Sequence, residues 1–508
     1  MEMIRLSNIL KEIPTETLFE IDDLIVNRGD KIGLIGKNGA GKSTLLEMIV
    51  GLDKNYRGQV DIHQDFAYVP QIKERTTESG GEQMKRMLRE SLAEAPELLI
   101  LDEPTTNLDH KNIQELLQVL IEYTGTILVV SHHRELLNRV VNQIWEIEDG
   151  TIEKYTGNYT DYREIKKRRV DNQQVAYENY QKKIQQLENE AQARKNRAKK
   201  FKKKKKGVSS SDYKVRSQMG KYDSQQKSLA KSAKALQKRM NQIEKVDRPE
   251  DKQKYVFKAV GNLATSPGQT LIRLSANEVR IAGDLLFSFQ EFSVKAGNKL
   301  AIQGANKAGK TTFLKKLVNR EFNGFYSQSL NIGYFDQNLD QLMLDKNVLE
   351  NVQRTSLQED YLIRNVLASL GFNQSKLSTL VYHLSGGERV RLTFAKLILG
   401  DYHLLVLDEP SNFLDLDTLE TVEQFINNHP AAIILVSHDQ VFVDRTADRF
   451  YYIENQQMVT APYRDKGQSG RDKEQILLKF QLDQMIADEH ADIQEIRKLQ
   501  EKIQRLEH

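Results

Sequence analysis

The fold of this 508-residue chain is decided by residues 36–43, which read GKNGAGKS, and by residues 304–311, which read GANKAGKT. Both stretches fit G-x-x-x-x-G-K-[ST], a pattern whose backbone N–H groups and following helix N-terminus surround phosphate oxygens. A short apolar run precedes each loop, at residues 32–35 and 300–302, and a helix-forming sequence follows it. The sequence therefore predicts a strand, a phosphate-binding loop and a helix in each half of the chain.

Further motifs follow each loop, and they come in the same order both times. After the first loop stand Gln71, Ser79-Gly80-Gly81-Glu82, Asp102-Glu103-Pro104 and Ser131-His132. After the second loop stand Gln337, Ser385-Gly386-Gly387-Glu388, Asp408-Glu409-Pro410 and Ser437-His438. Two collinear sets indicate that one ATP-handling unit is duplicated within the chain.

The fold class is predicted from the runs that lead into these motifs. Residues 98–101 and 127–130, and again 404–407 and 433–436, are apolar on both faces. Such runs are typical of parallel sheets covered by helices. We therefore expect an α/β fold with two ATPase domains in tandem, joined by a helical linker.

The lysine and the hydroxyl at the end of each loop have distinct expected tasks. Lys42 and Lys310 should reach the β- and γ-phosphates of ATP, while Ser43 and Thr311 should offer hydroxyl oxygens to Mg²⁺. A strand before the loop and a helix after it make an accidental match of this pattern improbable, so each half is expected to bind a nucleotide.

Paired acidic residues end one strand of each half. Asp102 and Asp408 come last, where a carboxylate can hold the Mg²⁺ shell. Glu103 and Glu409 follow directly, where each can orient or deprotonate the attacking water as a general base. Acidic residues at strand ends are often solvated caps, but two copies of Asp-Glu-Pro at matching places favour the catalytic interpretation.

A glutamine and a histidine complete each half. A lone Gln is usually a surface residue, yet Gln71 and Gln337 stand between the phosphate loop and the Ser-Gly-Gly-Glu motif, which favours a contact with Mg²⁺ and water. His132 and His438 follow a serine after an apolar strand, and we expect them to contact the γ-phosphate. Ser-Gly-Gly-Glu opens a helix with a hydroxyl and bare backbone, which again suits a phosphate.

The predicted site residues form two equivalent sets. Those expected to bind ATP are Gly36, Asn38, Gly39, Gly41, Lys42, Ser43, Thr44, Gln71, Ser79, Gly80 and Gly81 in the first half, and Gly304, Asn306, Gly309, Lys310, Thr311, Thr312, Gln337, Ser385, Gly386 and Gly387 in the second. The predicted Mg²⁺ ligands are Ser43, Gln71, Asp102, Thr311, Gln337 and Asp408. The predicted catalytic residues are Glu103, Glu409, His132 and His438.

Together these motifs resemble those of ABC-type ATPases. The resemblance implies that the two halves pair head to tail, each with a further motif, the D-loop, at residues 108–109 and 414–415. Lys42, Asp102, Glu103 and His132 would then share one nucleotide with Ser385 and Gly387 of the other half. Lys310, Asp408, Glu409 and His438 would share the second nucleotide with Ser79 and Gly81.

Charge is distributed unevenly along the chain. The formal net charge is only +3, but residues 161–247 hold 26 Lys and Arg against 10 Asp and Glu. The rest of the chain is acidic, so the charge pattern indicates a local contact with a polyanion rather than nonspecific binding over the whole surface. The densest positive run, Lys199 to Lys206, could be a solvated helix end, but its place before a predicted hairpin tip favours phosphate contact.

The basic segment is predicted to be an antiparallel helical hairpin. It lacks proline up to residue 247, and Tyr177, Tyr180, Ile184 and Leu187 form an amphipathic stripe. Glycine and serine from residue 207 interrupt the pattern, so we place the tip near 207–219. The predicted parts are residues 1–155 and 266–462 for the ATPase domains, 156–265 for the linker, and 463–508 for a helical C-terminal extension.

Composition excludes several classes of protein. No run of about 18 apolar residues is present, so no membrane span is expected. The N-terminus lacks the basic and apolar regions of a secretory signal. The chain has no cysteine, which excludes disulfides and thiolate metal sites and fits a cytoplasmic location.

Two such halves on one chain with a basic helical linker resemble the ABC-F proteins, and the short first half, long linker and tail look most like their Vga-type resistance factors. The resemblance implies a monomer that pairs its own domains and binds the 70S ribosome in the E site. The basic residues from Arg194 to Lys206, and Arg216, would contact 23S rRNA or P-site tRNA. The tip would approach the peptidyl transferase centre and protect it from lincosamides, streptogramins A and pleuromutilins. No DNA partner is expected.

Two other functions are compatible with the same motifs. One is a housekeeping translation factor that tunes the ribosome without conferring resistance, although the long tip argues mildly against it. The other is a structural ATPase of DNA repair, which the missing cysteines do not exclude. A transporter subunit fits poorly, since both ATPase halves share one chain through a basic arm.

Three positions depart from the ABC pattern. Lys307 stands where glycine is usual in the second phosphate loop, and it should change the loop geometry or add a phosphate contact. His133 stands where an aspartate usually follows the histidine, as Asp439 does in the second half. Glu78 precedes the first signature serine in place of leucine. No aromatic residue that could stack on adenine stands clearly before either loop.

Overall fold

The computed structural model describes residues 1–13, 16–63, 65–71, 80–93, 95–106, 108–206, 213–243, 245–247, 257, 266, 268–335 and 341–460. Four predicted features lie outside these residues. They are Ser79 with the preceding Glu78, Gln337, the hairpin turn at 207–212 and the C-terminal extension at 463–508.

The first half alternates strands and helices as its apolar runs predict. In chain order it contains β1 Glu2–Ile13, β2 Glu16–Asn27, β3 Lys31–Gly36, α1 Lys42–Ile49, β4 Arg57–Ile62, β5 Phe66–Val69, α2 Gly80–Ala93, β6 Leu98–Asp102, α3 His110–Glu122, β7 Thr126–Val130, α4 Arg134–Arg139, β8 Gln143–Glu148 and β9 Thr151–Thr156. Two long helices follow, α5 Tyr159–Lys206 and α6 Tyr213–Asn241.

The second half repeats the plan and adds to it. It contains β10 Thr270–Leu274, β11 Asn277–Ile281, β12 Asp284–Phe289, β13 Phe292–Lys295, β14 Lys299–Gly304, α7 Lys310–Val318, β15 Gly324–Tyr326, β16 Ile332–Phe335, α8 Val348–Gln353, α9 Asp360–Ser369, α10 Gly386–Ile398, β17 Leu404–Asp408, α11 Leu416–Asn428, β18 Ala432–Val436, α12 Gln440–Thr446, β19 Arg449–Glu454 and β20 Gln457–Thr460. Short 3₁₀ turns occupy Val381–His383 and Pro410–Phe413.

Each half is built on a central sheet with five consecutive parallel strands, β5-β6-β7-β3-β8 in the first half and β19-β14-β18-β17-β16 in the second. The strand order is β5-β6-β7-β3-β8-β9 in the first half and β11-β12-β20-β19-β14-β18-β17-β16 in the second. The inner strands β6, β7, β17 and β18 are buried along their whole length. Because parallel strands end at one edge, the loop after β3, the acidic pair after β6 and the histidine after β7 meet there.

The two halves differ on the flank beside the signature helix. In the second half α8 and α9 pack into the core beside α10, whereas the first half lacks the matching stretch of about forty residues. On that side an apolar groove of about 380 Å³ lies between α2 and α3, lined by Met84, Leu88, Leu92, Leu116 and Val119. The shorter first half therefore leaves an open flank.

The helices α5 and α6 belong to a unit of their own, Thr160–Lys254, while the two ATPase halves together form the other compact unit. Helix α5 has 48 residues, which corresponds to about 72 Å. Gln173 Nε2 donates to Asp247 O at 3.4 Å, and Leu187 and Ala233 are buried. The start of α5 thus lies near the residues after α6, as an antiparallel hairpin requires.

The second arm helix begins earlier than the sequence pattern suggested. The sequence predicts a tip near 207–219, whereas α6 already begins at Tyr213. From Tyr213 onward most residues favour a helix, and the isolated Ser217 and Gly220 do not interrupt it. Despite their length, α5 and α6 are too polar to cross a bilayer, and no other helix in the described part of the chain is long and apolar enough.

Candidate functional site

The first phosphate loop joins β3 to α1 through three glycines with positive φ, namely Gly36 at 151°, Gly39 at 88° and Gly41 at 91°. At Gly41 a side chain is excluded twice, because the backbone is left-handed and a Cβ atom would lie 2.8 Å from Phe19 Cε1. Lys42 Nζ curls back over the loop and donates to the carbonyl of Gly36 at 2.8 Å. The loop is therefore an open ring of backbone with an ammonium group at its centre.

The second loop has the same form in spite of its lysine. Lys310 Nζ donates to the carbonyls of Gly304 at 2.8 Å and Ala305 at 2.9 Å. Lys307, which occupies the place of Gly39, adopts φ 64°, a left-handed conformation that costs an L-residue about 1 kcal/mol. The expected change in loop geometry is not seen, and the exposed Lys307 side chain remains available for a phosphate contact.

In the first half the general-base candidate and the histidine lie together. Glu103 follows β6 in a left-handed conformation, φ 47°, and its N–H donates to Val130 O at 2.9 Å. The His132 N–H donates to Glu103 Oε2 at 3.4 Å, and His132 Nε2 lies 3.5 Å from Oε1. Asp102, at the end of β6, is buried beside them.

The second half repeats this arrangement more tightly. The His438 N–H donates to Glu409 Oε2 at 3.3 Å, and His438 Nε2 lies 3.2 Å from Oε1. Lys310 Nζ is 3.4 Å from His438 Nε2, so the phosphate-loop lysine, the histidine and the glutamate form one chain of polar groups. Asp408 accepts a 3.4 Å hydrogen bond from Tyr334.

Burial sets the protonation of these groups. It raises the pKa of Glu409 to about 7, with the charge of Asp408 adding to the effect. The pKa of Glu103 is raised in the same way by burial and by Asp102. Burial lowers the pKa of both His132 and His438 to about 3, helped by the neighbouring lysine charge. Both imidazoles are therefore neutral at pH 7, whereas the glutamates titrate close to neutrality.

Replacing Glu409 with Gln should raise the melting temperature of the nucleotide-free protein at about pH 8 and have little effect near pH 4.5. The folded protein keeps this proton up to about pH 7, but in the unfolded chain the carboxyl ionises near 4.5. Between pH 4.5 and pH 7 the unfolded state binds fewer protons than the folded state, so the stability of the wild type falls as pH rises. The Glu409→Gln variant has no carboxyl group here and does not lose stability in this way. Thermal unfolding at several pH values measures the difference. The exposed Glu454 at the end of β19 supplies a control, since Glu454→Gln makes the same chemical change outside the buried site.

One cleft contains motifs from both halves. Its volume is about 870 Å³, and it is lined by Asn38, Gly39, Gly41, Lys42, Ser43, Thr44, Gln71, Glu103 and His132 of the first half together with Gly386, Gly387, Ser411 and Leu414 of the second. The structure thus brings the first phosphate loop to the second signature helix. Ser385 caps that helix, accepting from the N–H of Glu388 at 3.3 Å.

Two aspartates join the halves reciprocally beside the phosphate loops. Asp415 Oδ2 accepts from the N–H of Asn38 at 3.0 Å, and Asp109 Oδ2 accepts from the N–H of Asn306 at 3.1 Å. The other oxygen of each caps its own helix, α11 or α3. Each D-loop therefore binds the phosphate loop of the opposite half. For the second nucleotide site, the structure describes Thr311, Thr312 and Gly309 at α7, and Gly80 and Gly81 at the start of α2.

The sequence patterns missed two kinds of site residue. Asp109 and Asp415 were recognised as D-loop residues but not as contacts to the opposite loop, which only the pairing reveals. Ile13 and Leu18, at the ends of β1 and β2, line the cleft and offer an apolar surface where no aromatic residue stands. Nothing but the alternation of a strand marks them in the sequence.

The residues present fit ATP and its metal ion. The positive-φ glycines leave backbone N–H groups open to phosphate oxygens, and the lysine at the centre donates to loop carbonyls that a phosphate could replace. Ser43, Gln71 and Asp102 offer hydroxyl, amide and carboxylate oxygens, the ligands that Mg²⁺ prefers.

Comparison with known proteins supports the interpretation of this site as an ATP site. A family model described as ABC transporter matches residues 20–78 and 289–412, and a second with that description matches 145–257. Ribosome protection protein VmlR of Bacillus subtilis (strain 168) is 30% identical, with 89% of this chain and 87% of that protein covered. Erythromycin resistance ATP-binding protein MsrA of Staphylococcus epidermidis is 31% identical, with 89% and 98% covered.

A more distant relative and a solved structure extend the picture. ABC transporter F family member 5 of Arabidopsis thaliana is 26% identical, covering 89% of this chain and 75% of that protein. The structure of RNase-L Inhibitor shares the fold, with a TM-score of 0.59, 17% identity and 93% of each chain covered. Because VmlR and MsrA match almost its whole length at 30% identity or more, this chain belongs to the ABC-F family and is an ATPase with two cassettes on one polypeptide.

Proposed function

We propose that this protein is a cytoplasmic ATP-dependent factor of the Vga type, which enters the E site of the 70S ribosome and protects it from antibiotics. The observation that carries the proposal is the shared cleft, where Gly386 and Gly387 of one half face Lys42 and Glu103 of the other. ATP in that cleft would be held by both halves, so binding favours their union. The relatives VmlR, a ribosome protection protein, and MsrA, an erythromycin resistance ATP-binding protein, indicate the process.

Each nucleotide would lie between a phosphate loop and the opposite signature helix. In the first site the N–H groups of the loop and Lys42 bind the β- and γ-phosphates, and the N-terminus of α10 with Ser385 faces the γ-phosphate. Ile13 and Leu18 cover the base with apolar surface. Lys310 and the start of α2 have the same tasks in the second site.

Hydrolysis requires a base beside the γ-phosphate. Glu409, with a pKa of about 7, ionises near the working pH, which suits a general base that takes a proton from water. Glu103 has the same task in the first site. His132 and His438 are neutral, and each imidazole still carries one N–H that can donate a hydrogen bond to the γ-phosphate.

Mg²⁺ would be held by Ser43, Gln71 and Asp102 in the first site, and by Thr311, Gln337 and Asp408 in the second. When bound, it neutralises the charge of the β- and γ-phosphates. Because its contribution is to offset phosphate charge, removal of Mg²⁺ should weaken binding of ATP far more than it changes the fold.

ATP can drive a switch only through its different affinity for two states. The joined halves complete both sites, whereas separation removes the signature helix and the D-loop contact from each. Tight binding to the joined state would set the orientation of the helical arm, and hydrolysis would release it. A change from 1% to 99% joined requires about 10⁴-fold tighter binding in that state.

The arm is the proposed ribosome-binding element. Helix α5 ends in a lysine run, Lys202 to Lys206, and helices of this charge bind nucleic-acid phosphates without regard to sequence. Residues 194–206 and Arg216 would contact 23S rRNA or P-site tRNA. The tip would approach the peptidyl transferase centre, where these drugs bind.

Expression of this protein in a susceptible host should raise the inhibitory concentration of a lincosamide, a streptogramin A and a pleuromutilin. Growth in serial dilutions of each drug measures the effect, and a strain with Lys42→Ala and Lys310→Ala supplies the inactive control. A housekeeping factor would bind ribosomes yet leave all three concentrations unchanged, and this outcome would overturn the resistance function.

A further inference from the structure

A buried ion pair joins the two halves next to one histidine motif. Arg134 begins α4, two residues after His132, and its Nη1 donates to Glu423 Oε1 on α11 of the second half. The Arg134 side chain is 1% exposed and that of Glu423 is 8% exposed. Arg445 of α12 donates to the other carboxylate oxygen at 3.2 Å. A charge of the first half is thus neutralised deep in the interface by the second.

The internal duplication reveals that this pair is one-sided. Glu409 lies 306 positions after Glu103, and His438 lies 306 positions after His132. At the same offset Arg134 corresponds to Gln440, and Glu423 corresponds to Leu117. Where one pairing of the halves has an arginine and an acid, the equivalent pairing has a glutamine and an apolar residue.

The contacts of the counterparts agree with this asymmetry. Gln440 donates to Asp444 at 3.0 Å and accepts from Gln303 at 2.8 Å, and both partners belong to its own half. Leu117 is fully buried. Arg134 with Glu423 is therefore an ion pair between the two halves that has no equivalent at the matching positions beside His438.

The pair is linked through a few covalent bonds to the first ATP site. His133 Nδ1 accepts from the N–H of Leu136 at 3.2 Å and so caps α4, in the place where Asp439 caps α12. The preceding His132 N–H donates to Glu103. The segment from the histidine to the first turn of α4 is therefore held at one end by Glu103 and at the other by Glu423.

Loss of the contact between the halves would leave the buried guanidinium group of Arg134 without a hydrogen-bond acceptor. Its Nε and Nη2 atoms are buried and have no hydrogen-bond partner among the described residues, so Glu423 is the acceptor that its guanidinium group depends on. A buried charge without its partner is strongly unfavourable. Separation of the halves would therefore remove both the acceptor of Arg134 and the anchor of the adjoining histidine segment on the second half.

We propose that Arg134 is a positioning residue of the first ATP site, which couples the union of the two halves to the placement of His132 through Glu423. The first site is then competent for hydrolysis only while the halves are joined at this pair. The second site lacks the link, because Gln440 is held within its own half. The two sites therefore differ in how strictly hydrolysis depends on pairing, and this inference concerns ATP turnover alone, without the ribosome.

The test measures the two sites separately in the purified full-length chain. The Glu409→Gln background leaves the first site active, and Glu103→Gln leaves the second active. Into each we place Arg134→Gln and Glu423→Leu, the residues that the duplicate itself uses, singly and together. Single-turnover hydrolysis of bound ATP reports the chemical step, and thermal unfolding reports the fold.

Arg134→Gln should slow first-site hydrolysis about tenfold or more while the second site stays within about twofold. The double variant, which contains neither buried charge, should recover the melting temperature but not the first-site rate. Arg134→Lys, which keeps a cation for Glu423, should restore part of that rate. An equal loss at both sites, an unchanged first site, or full recovery of the rate in the double variant would each overturn the proposal.

Discussion

Changing both Glu103 and Glu409 to Gln should abolish ATP turnover and leave the ATP-loaded protein bound to ribosomes. Each glutamate is the predicted base of its site, and loss of a general base slows the chemical step by roughly 10²–10⁴-fold. Gln keeps the size of the side chain, so the His132 and His438 N–H groups retain an acceptor. Steady-state phosphate release and cosedimentation with 70S ribosomes measure the two effects.

A variant with the opposite expected behaviour serves as the control for the trapping experiment. Lys42→Ala with Lys310→Ala removes the ammonium groups at the centre of both loops, so this variant should neither hydrolyse ATP nor stay on ribosomes. If the double Gln variant cosediments with ribosomes no better than the wild type, ATP does not gate ribosome binding. If it still hydrolyses ATP at the wild-type rate, the two glutamates are not the bases.

Replacing Lys202, Lys203, Lys204 and Lys205 with Gln should weaken ribosome binding and reduce its dependence on salt. Each phosphate contact contributes roughly 0.7–0.9 to the magnitude of the slope of log K against log salt concentration, so the loss of four contacts should reduce it by up to about 3.6. Gln is nearly as good a helix former as Lys, so α5 should persist. Binding measured over a series of salt concentrations gives the slope.

A second set of four lysines on the same arm serves as the matched control. Lys227, Lys231, Lys234 and Lys238 are exposed on α6 and lie farther along the chain from the turn. Their replacement with Gln removes the same charge, so a purely global charge effect would weaken binding equally in both variants. A clearly smaller loss in the control set assigns the contact to the lysine run, and equal losses would contradict that assignment.

The local motifs were predicted closely because their geometry depends on neighbours in the chain. A strand, a glycine-rich turn and a helix were expected at residues 32–50, and the structure has β3, the loop and α1 there. The parallel strands that lead into Asp102 and Asp408 are likewise present. Burial on both faces favours the strands, and the conformational freedom of glycine favours the turns. Both signals lie within about ten residues of the element that they predict.

Other features escaped prediction for identifiable reasons. Lys307 was expected to change the second loop or to add a phosphate contact, and the loop keeps its form because a left-handed lysine is tolerated at about 1 kcal/mol. The second arm helix begins at Tyr213, within the stretch predicted as the tip, because isolated turn-forming residues such as Ser217 and Gly220 do not end a helix whose other residues favour it. The groove between α2 and α3 depends on how these two helices pack, which no local pattern in the sequence predicts.

The chain alone determined that two ATP-handling units stand in tandem around a basic helical arm, since each motif is a short run whose chemistry lies in its own residues and spacing. Only the tertiary structure decided which distant residues meet. Asp415 contacts Asn38 across 377 positions, and Arg134 contacts Glu423 across 289. Such contacts depend on how two folded surfaces pack, and no local pattern encodes the partner.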